Sequence, residues 1–579
     1  MVLLEKTMSA LPLLGAAAAA AALAYLLARA FTQRRFYRNV PCPPHSMFWG
    51  HLKLLGEYTA RMPKGGYIQQ AITQMKQDYD LPDVFYLDMW PATSGFVCMT
   101  GPDATAYPTT TNVWPQAPIV TDFFVETTGT TFIEATNGPL WKELLHRIAP
   151  GLTPTTIKAY FPAIVAEACS LRDELARNSG AGAPAVRISD AIGRYPFGVI
   201  AQVICGEGLG EDVYRDTLRV AELQTLKQTP GALFLPWNKW AYKREVAACL
   251  GRIDAVLLTK VRARFAELAR DKAAATQRIL DRLLLPSVKQ GLPLDSALET
   301  LCLSNIKGLI IAGYGTTNDT STFIWLLLHT HPEILEKLRD EHDRVFGKDL
   351  DATLTKLREN PGLLNSLEYT TAVIHETLRL FPIGMVVRAV PPGLKSMSIG
   401  GKEHPVLPDQ MACIVSHAMH YNDEYFPDPK RFLPDRFLND PAASALVTDG
   451  TGQATSSSGS DDDEKKTAAG GKIGNGPIHP RNAYRPFERG PRGCIGQALA
   501  MEEMKVQLVV LARSFDMAIE KVEEAGESKA DVKEPTFGHM DMEKKLGRHA
   551  LQVAGFTAGP AGPVLMKVRP RGGLAAAAR

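Results

Sequence analysis

The chain has 579 residues, of which 45% are hydrophobic and 22% are charged, and its formal net charge is +2 at neutral pH. This near-neutral charge, without a basic block interleaved with aromatic residues, argues against a nucleic-acid-binding protein. Length alone would suggest roughly three or four domains. The eight cysteines lack CxxC or zinc-ligand spacing, which indicates free thiols in a reducing compartment.

The N-terminus carries an apolar segment. Thr7 to Ala28 is a run of 22 uncharged residues rich in alanine and leucine, which is long enough to cross ~30 Å of hydrocarbon. Basic residues follow it at Arg29, Arg34, Arg35 and Arg38. The positive-inside rule then places the rest of the chain in the cytosol. We predict a transmembrane anchor over residues 1–31; a cleaved signal peptide, with Ala28-Arg29-Ala30 as its cleavage site, is the alternative.

Residues 32–50 are basic and proline-rich, and Pro41-Cys42-Pro43-Pro44 predicts a stiff, extended hinge. Most of the chain after this hinge has helical patterning. A long, largely apolar run from Leu301 to His331 contains Ala312-Gly313-Tyr314-Gly315-Thr316-Thr317. Each glycine inside a helix costs about 1 kcal/mol relative to alanine. Two of them next to two threonines, whose hydroxyls can bond to preceding carbonyls, favour a helix that opens locally.

Two charged motifs follow. Thr371 to Pro382 is a helical pattern that ends at a proline, and Glu376 and Arg379 lie on one face of it among apolar neighbours, which predicts a buried ion pair. Phe432 to Phe437 reads FLPDRF and contains Arg436. Residues 447–476 are rich in serine, glycine and threonine, and they predict a low-complexity insertion that cannot bury a core.

The stretch Phe487-Glu-Arg-Gly490-Pro-Arg492-Gly-Cys494-Ile-Gly496 places one cysteine in a glycine-rich loop. An amphipathic helix is predicted directly after it, from Gln497 to Phe515. A cysteine at a helix N-terminus receives backbone N–H groups and the positive end of the helix dipole, which favour a thiolate. The side chain of Arg492 suits a carboxylate partner, and a structural cysteine in a glycine-rich turn is the alternative.

The pattern F-x-x-G-x-R-x-C-x-G resembles the haem loop of the cytochrome P-450 superfamily at all five defining positions. The resemblance implies a mainly α fold with small β-sheets, in which residues 51–579 form a single large catalytic domain. It implies haem b (iron protoporphyrin IX) with Cys494 as the axial thiolate and metal ligand. Phe487, Gly490, Arg492 and Gly496 would complete the haem-binding loop.

The resemblance also assigns roles elsewhere. Glu376 and Arg379 match the family's E-x-x-R pair, and Arg436 would complete a triad with them. Thr316 matches the oxygen-handling threonine of the family's A-G-x-D/E-T-T segment, but Gly315 occupies the position of the acid, and Asp319 is a possible substitute. Trp141 matches the helix that touches the haem propionates, although Leu145 replaces its usual arginine; Arg388 is a further propionate partner.

The expected pocket residues are mainly apolar, which predicts a sizeable lipophilic substrate; they are Trp114, Ile119, Val120, Phe123, Phe124, Leu233, Phe234, Leu235, Trp237 and 383–387. The resemblance is greatest to fungal microsomal members that oxidise polyketide or terpenoid metabolites. It implies a monooxygenase in the endoplasmic-reticulum membrane that uses O2 and an NADPH-dependent diflavin reductase. Alternatives are a haem-thiolate hydroperoxide isomerase or dehydratase, a fatty-acid or lipid hydroxylase, and a non-catalytic haem- or lipid-binding relative.

Overall fold

The computed structural model describes residues 31–438 except 181 and 230, residues 482–520 and 534–571, and scattered positions between 17 and 29. Most of the predicted anchor and all of the predicted insertion at 447–476 lie outside these residues. Within the described part of the chain, no helix is long and apolar enough to cross a membrane.

The fold is mainly helical. Its α-helices are α1 Leu52–Thr59, α2 Ile68–Asp78, α3 Pro102–Ala106, α4 Pro118–Thr128, α5 Gly138–Ile148, α6 Pro154–Ile157, α7 Phe161–Arg177, α8 Ile188–Cys205, α9 Glu211–Gln228, α10 Pro236–Arg270, α11 Ile279–Lys289, α12 Ser296–Thr330, α13 Pro332–Phe346, α14 Leu350–Glu359, α15 Glu368–Leu380, α16 Ser416–His420, α17 Gln497–Ser514 and α18 Glu543–Leu546.

The strands form small sheets at the periphery of the helices. They are β1 Val84–Leu87, β2 Phe96–Met99, β3 Val186–Arg187, β4 Val386–Ala389, β5 Ser396–Ile399, β6 Lys402–Pro405, β7 Met411–Ile414, β8 Phe515–Ile519, β9 Gln552–Ala554, β10 Ala558–Pro560 and β11 Leu565–Pro570. The largest sheet has the order β1-β2-β7-β4, in which β2 and β7 are parallel. The others pair β3-β11-β8, β5-β6 and β9-β10.

The long helix α12 runs through the centre of the protein. Asp295 caps its N-terminus by accepting a hydrogen bond from the backbone N–H of Leu298. Its apolar residues lie on every side, as expected for a helix that is surrounded by other elements. It packs against α8, α4 and α15, and Phe323 stacks on Phe381 at the end of α15 with ring centroids 4.1 Å apart.

Residues 32–50, predicted as a stiff, extended hinge, pack against the largest sheet. Arg34 is buried and forms a 2.6 Å ion pair with Asp88, and Tyr37 is buried beside it. The backbone carbonyl of Pro41 accepts a hydrogen bond of 2.9 Å from Tyr86 in β1. The charges and aromatic rings of this segment therefore find partners that the local sequence does not contain.

Candidate active site

The cysteine loop folds as a tight turn immediately before α17. The backbone N–H of Cys494 donates to the carbonyl of Phe487 at 2.8 Å, and the N–H of Gly493 donates to Gly490 at 2.8 Å. Gly490 has φ +86°, and a β-carbon there would overlap the carbonyl of Thr109. Glycine is therefore required at this position, since only glycine adopts this conformation without steric cost and leaves room for the neighbouring backbone.

Cys494 is the only cysteine of the eight whose side chain is exposed, although many protein atoms surround its sulfur at longer range. Burial raises the pKa of its thiol to about 11, although the backbone N–H groups of Gly496 and Gln497 lower it. The N–H groups at the helix N-terminus thus favour the thiolate as expected, but for the free thiol burial outweighs them. A metal cation at the sulfur would supply the missing charge and deprotonate it.

Arginines converge beside the loop. The guanidinium of Arg492 lies 4.2 Å from the ring centre of Trp141 and donates to Asn137 Oδ1 at 2.8 Å, while its Nη1 is buried without a partner. Arg388 donates to Gln116. Burial, with repulsion from Arg388, lowers the pKa of Arg492 to about 10.

Arg485, which the sequence analysis missed, belongs to the same cluster. It is buried, pairs with Glu488 and donates to Thr109 Oγ1 at 2.7 Å. Burial and repulsion from Arg489 and Arg388 lower its pKa to about 9. Among the described residues, this mutual repulsion indicates an excess of positive charge, which suits a ligand with carboxylates.

Two adjacent threonines of α12 form different hydrogen bonds. Thr316 donates to the carbonyl of Ala312 at 2.7 Å, whereas Thr317 donates to Glu503 Oε1 of α17 at 2.7 Å. Burial raises the pKa of Glu503 to about 8, so this carboxyl is mostly protonated at neutral pH. The sequence offers a partial signal for Glu503, since it is an acid among apolar residues on the helix that follows the cysteine loop.

Asp319 lies one turn along α12 from Gly315. It accepts a hydrogen bond from Thr557 in the turn between β9 and β10. Burial raises the pKa of Asp319 to about 6, which the bond from Thr557 opposes. The structure therefore places this residue against the C-terminal hairpin, a neighbour that the sequence analysis did not foresee.

The three predicted core charges come together. Arg379 Nε and Glu376 Oε2 are 2.7 Å apart with both side chains fully buried, and Arg436 Nε lies 3.1 Å from Glu376 Oε1. Arg379 also donates to the carbonyls of His420 and Pro429 at 2.7 and 2.8 Å. A buried pair with its remaining hydrogen bonds satisfied fixes the geometry behind the cysteine loop and is costly to break.

Comparison with known proteins identifies this arrangement. The family model described as Cytochrome P450 matches residues 40–533. The chain belongs to the cytochrome P450 family. It is 30% identical over 466 residues to the cytochrome P450 monooxygenase acrF of Aspergillus aculeatus, covering 79% of this chain and 88% of that protein.

Other matches agree. The cytochrome P450 monooxygenase polC of Polytolypa hystricis is 27% identical over 509 residues, which cover 85% of this chain and 84% of that protein. The crystal structure of the cytochrome P450DA heme domain superposes with a TM-score of 0.66 at 17% identity, covering 93% of this chain and 98% of the other. The predicted P450 fold, mainly α with small sheets, is confirmed, and so is the enzyme class: this chain is an oxidoreductase of the monooxygenase type.

The residues of this P450 fit the haem that the family implies. The thiol of Cys494 has the backbone N–H groups of a metal-bound thiolate around it. Arg492 has a buried donor without a partner, and with Arg388 and Arg485 it would neutralise the two haem propionates. Trp141 is buried beneath Arg492, so it positions that guanidinium.

The predicted substrate-contacting residues divide into two groups in the P450 fold. Phe123 packs on Phe556 and Phe124 on Phe132, with ring centroids 5.7 and 5.4 Å apart. Trp114 is buried against Tyr107 in a separate core cluster, so in this structure its side chain is part of the core. The predicted lid residues are exposed, with exposed fractions of 84% for Phe234, 38% for Leu235 and 64% for Trp237.

Proposed function

We propose that this protein is a membrane-bound haem-thiolate monooxygenase that oxidises a sizeable lipophilic substrate, a polyketide or terpenoid of fungal secondary metabolism. The observation that carries this proposal is the cysteine loop, in which one thiol lies beside a cluster of arginines. One of them, Arg492, has a buried Nη1 donor without a hydrogen-bond partner. Its cofactor is haem b, and NADPH electrons come from a separate diflavin reductase. Bound haem supplies the activation of O2 and the transfer of one oxygen atom to the substrate.

The protein holds this cofactor through groups that are poor partners for one another. Cys494 supplies the axial thiolate, and the N–H groups of Gly496 and Gln497 stabilise its negative charge. Arg388 repels both Arg485 and Arg492, and the carboxylates of a bound haem would offset this positive charge. Cofactor binding therefore relieves both the high pKa of the thiol and the repulsion among the guanidinium groups.

Proton supply is the second task of these residues. Thr316 holds a hydroxyl on the inner face of α12, and the neighbouring Thr317 bonds to the protonated Glu503. A group that transfers a proton works best when its pKa lies near the operating pH. The raised pKa values of Glu503, about 8, and Asp319, about 6, meet this condition on either side of neutrality.

The proposed substrate follows from the aromatic rings near the C-terminal hairpin. Phe123, Phe124 and Phe556 are partly buried, and they lie on α4 and on the turn after β9. Such rings bind an extended apolar ligand by burying its apolar surface rather than by forming hydrogen bonds with it. Several relatives are cytochrome P450 monooxygenases of fungi, among them proteins of Penicillium ochrochloron. This similarity supports the proposal that the substrate is a fungal metabolite.

We place the protein at the endoplasmic-reticulum membrane with its catalytic domain in the cytosol. The apolar run of residues 7–28 and the arginines after it motivate this placement. Exposed aromatic side chains add support, since Trp and Phe at a protein surface suit the membrane interface; they are Phe48, Trp49, Phe234, Trp237 and Trp240.

One observation favours a second function. Gly315 stands where the family carries an acid, and an enzyme that rearranges a hydroperoxide or dehydrates its substrate has no need of protons for O2 activation. Turnover with and without reductase and O2 separates the two functions. The monooxygenase forms an oxygenated product only when both are present, and peroxide release should rise in Thr316→Ala. Full conversion of a hydroperoxide without them would establish the rearranging enzyme instead.

A further inference from the structure

A pocket of about 390 Å³ lies beside α12 on the side that carries Gly315. Its walls come from α9, α12 and the hairpin of β9 and β10, and it opens toward solvent near Glu222. Asn318, which is 5% exposed, lines it and has an unpartnered Oδ1. An unpartnered acceptor on the wall of a cavity of this size can receive a hydrogen bond from an ordered water molecule.

Gly315 and Thr557 fit together at the inner wall. A β-carbon at Gly315 would lie 3.5 Å from the methyl carbon of Thr557 and 3.6 Å from its hydroxyl oxygen. A longer acidic side chain would meet the hairpin turn at this point. The absence of a side chain therefore admits Thr557 to the surface of α12, where its hydroxyl reaches Asp319.

A second glycine, Gly559, lies directly against the carboxyl group of Asp319. A β-carbon at Gly559 would lie 2.7 Å from Asp319 Oδ1 and 3.1 Å from Oδ2, closer than a real side chain allows. The hairpin backbone thus closes over the carboxyl of Asp319, while Thr557 fixes its orientation. The position of Asp319 depends on two glycines and one hydroxyl.

The charge environment leaves the Asp319 carboxyl able to exchange a proton near neutral pH. Burial raises the pKa of Asp319 to about 6, and the hydrogen bond from Thr557 lowers it. Other titratable side chains that line the pocket are Glu222 on α9, Arg187 on β3, Asp190 on α8 and Tyr314 on α12. The stretch from Val553 to Pro563 contributes no titratable side chain. Burial is the largest influence on Asp319.

We propose that Asp319, positioned by Thr557, carries protons from the water of this pocket to Thr316 and so replaces the acid missing at Gly315. Asp319 lies three residues after Thr316, on neighbouring positions of one helix face. The protonated carboxyl gives its proton through water to the threonine hydroxyl, which releases its own proton to the reaction. Pocket water then reprotonates the carboxylate and takes a proton from solvent, so the relay undergoes no net change. This inference rests on the proposed monooxygenase function.

The first test compares Thr557→Val with Thr557→Ser in the haem-loaded enzyme with its reductase. Valine keeps the shape that packs on Gly315 but removes the hydroxyl, whereas serine keeps the hydroxyl. We expect Thr557→Val and Asp319→Asn to lower product per NADPH by roughly tenfold with a matching rise in peroxide, while Thr557→Ser stays near the wild type. Ala221→Trp, which fills the pocket from α9, should act like Thr557→Val, and the exposed Arg215→Trp should not.

The second test does not depend on turnover. Infrared difference spectra of resting wild type and Asp319→Asn should show a carboxylic-acid band that titrates near pH 6. Its midpoint should move to higher pH in Thr557→Val, because the lost hydrogen bond had lowered the pKa, and should stay in place in Thr557→Ser.

Unchanged coupling and an unchanged titration in Thr557→Val would overturn the relay, while oxygenated product formed with O2 and reductase would leave the proposed function standing. If the wild type forms no such product under these conditions, the proposed function fails, and the relay fails with it.

Discussion

Thr317 donates a hydrogen bond of 2.7 Å to the buried carboxyl of Glu503 and so joins the central helix to the helix that follows the cysteine loop. The hydroxyl of Tyr195 on α8 donates to the backbone carbonyl of Glu503 at 2.9 Å. Three helices therefore meet at one residue. Because this carboxyl is buried without a cation, its protonation state contributes directly to stability.

Glu503→Gln should remove a pH dependence of stability. Burial raises the pKa of Glu503 from its ordinary 4.5 to about 8, so between these values the folded protein keeps a proton that the unfolded chain has lost. Stability must then fall as pH rises through this window. We expect the free energy of unfolding of the variant, relative to that of the wild type, to rise by about 1 kcal/mol or more as the pH increases from 5 to 9. Thermal unfolding across this range measures it.

Glu359→Gln, at an exposed position on α14, serves as the control and should follow the wild-type curve. Parallel curves for Glu503→Gln and the wild type would show that Glu503 is ionised in the folded protein. The hydrogen bond to Thr317 would then be that of a carboxylate, and Glu503 would hold no proton to supply.

Alanine at two glycines of the cysteine loop should have unequal effects on folding. At Gly490 the β-carbon overlaps the Thr109 carbonyl and the backbone has φ +86°, so we expect a loss of roughly 1–3 kcal/mol. At Gly496 the nearest atom to a β-carbon is Cys494 Sγ at 3.9 Å, and folding should tolerate the change. Soluble yield and thermal midpoints of both full-length variants test this; equal losses would refute it.

Arg492→Gln should weaken cofactor retention without weakening the fold. The side chain is partly buried, and repulsion from Arg388 adds to the cost of its charge, so without cofactor its loss is neutral or stabilising. In the haem-loaded variant, a haem propionate would lack the guanidinium group of Arg492 as its partner. We expect haem to transfer to apomyoglobin roughly tenfold faster, equivalent to about 1.4 kcal/mol.

Arg344→Gln is the matched control for this experiment, since its side chain is 74% exposed. It should transfer haem at the wild-type rate. If Arg492→Gln also transferred haem at that rate, or destabilised the cofactor-free protein, the arginine would be a structural residue rather than a propionate partner.

The features that sequence predicts well are local ones. The cysteine loop is defined within ten residues by its glycines and the helix start at Gln497, and the pair Glu376–Arg379 follows from helical spacing. Contacts between segments that are distant in the sequence cannot be predicted from such short patterns. Thr317 and Glu503 are 186 residues apart, and Asp319 and Thr557 are 238 apart.

Two effects of burial are also not visible in the local sequence. The helix N-terminus favours a thiolate at Cys494, but the surrounding protein raises the pKa of the thiol. Trp114 has the apolar character of a pocket residue, yet it packs in the core beside Tyr107. In both cases the side chain is right for the predicted role, and the three-dimensional environment decides the outcome.

The most direct test is the absorption spectrum of the reduced, carbon-monoxide-bound protein. The wild type should show the strongly red-shifted Soret band of thiolate-ligated haem, and Cys494→His should lose this band. Cys413→Ser, at a buried cysteine remote in sequence, should keep it. A red-shifted band that survives in Cys494→His, or is absent from the haem-loaded wild type, would contradict the assignment of Cys494 as the axial ligand.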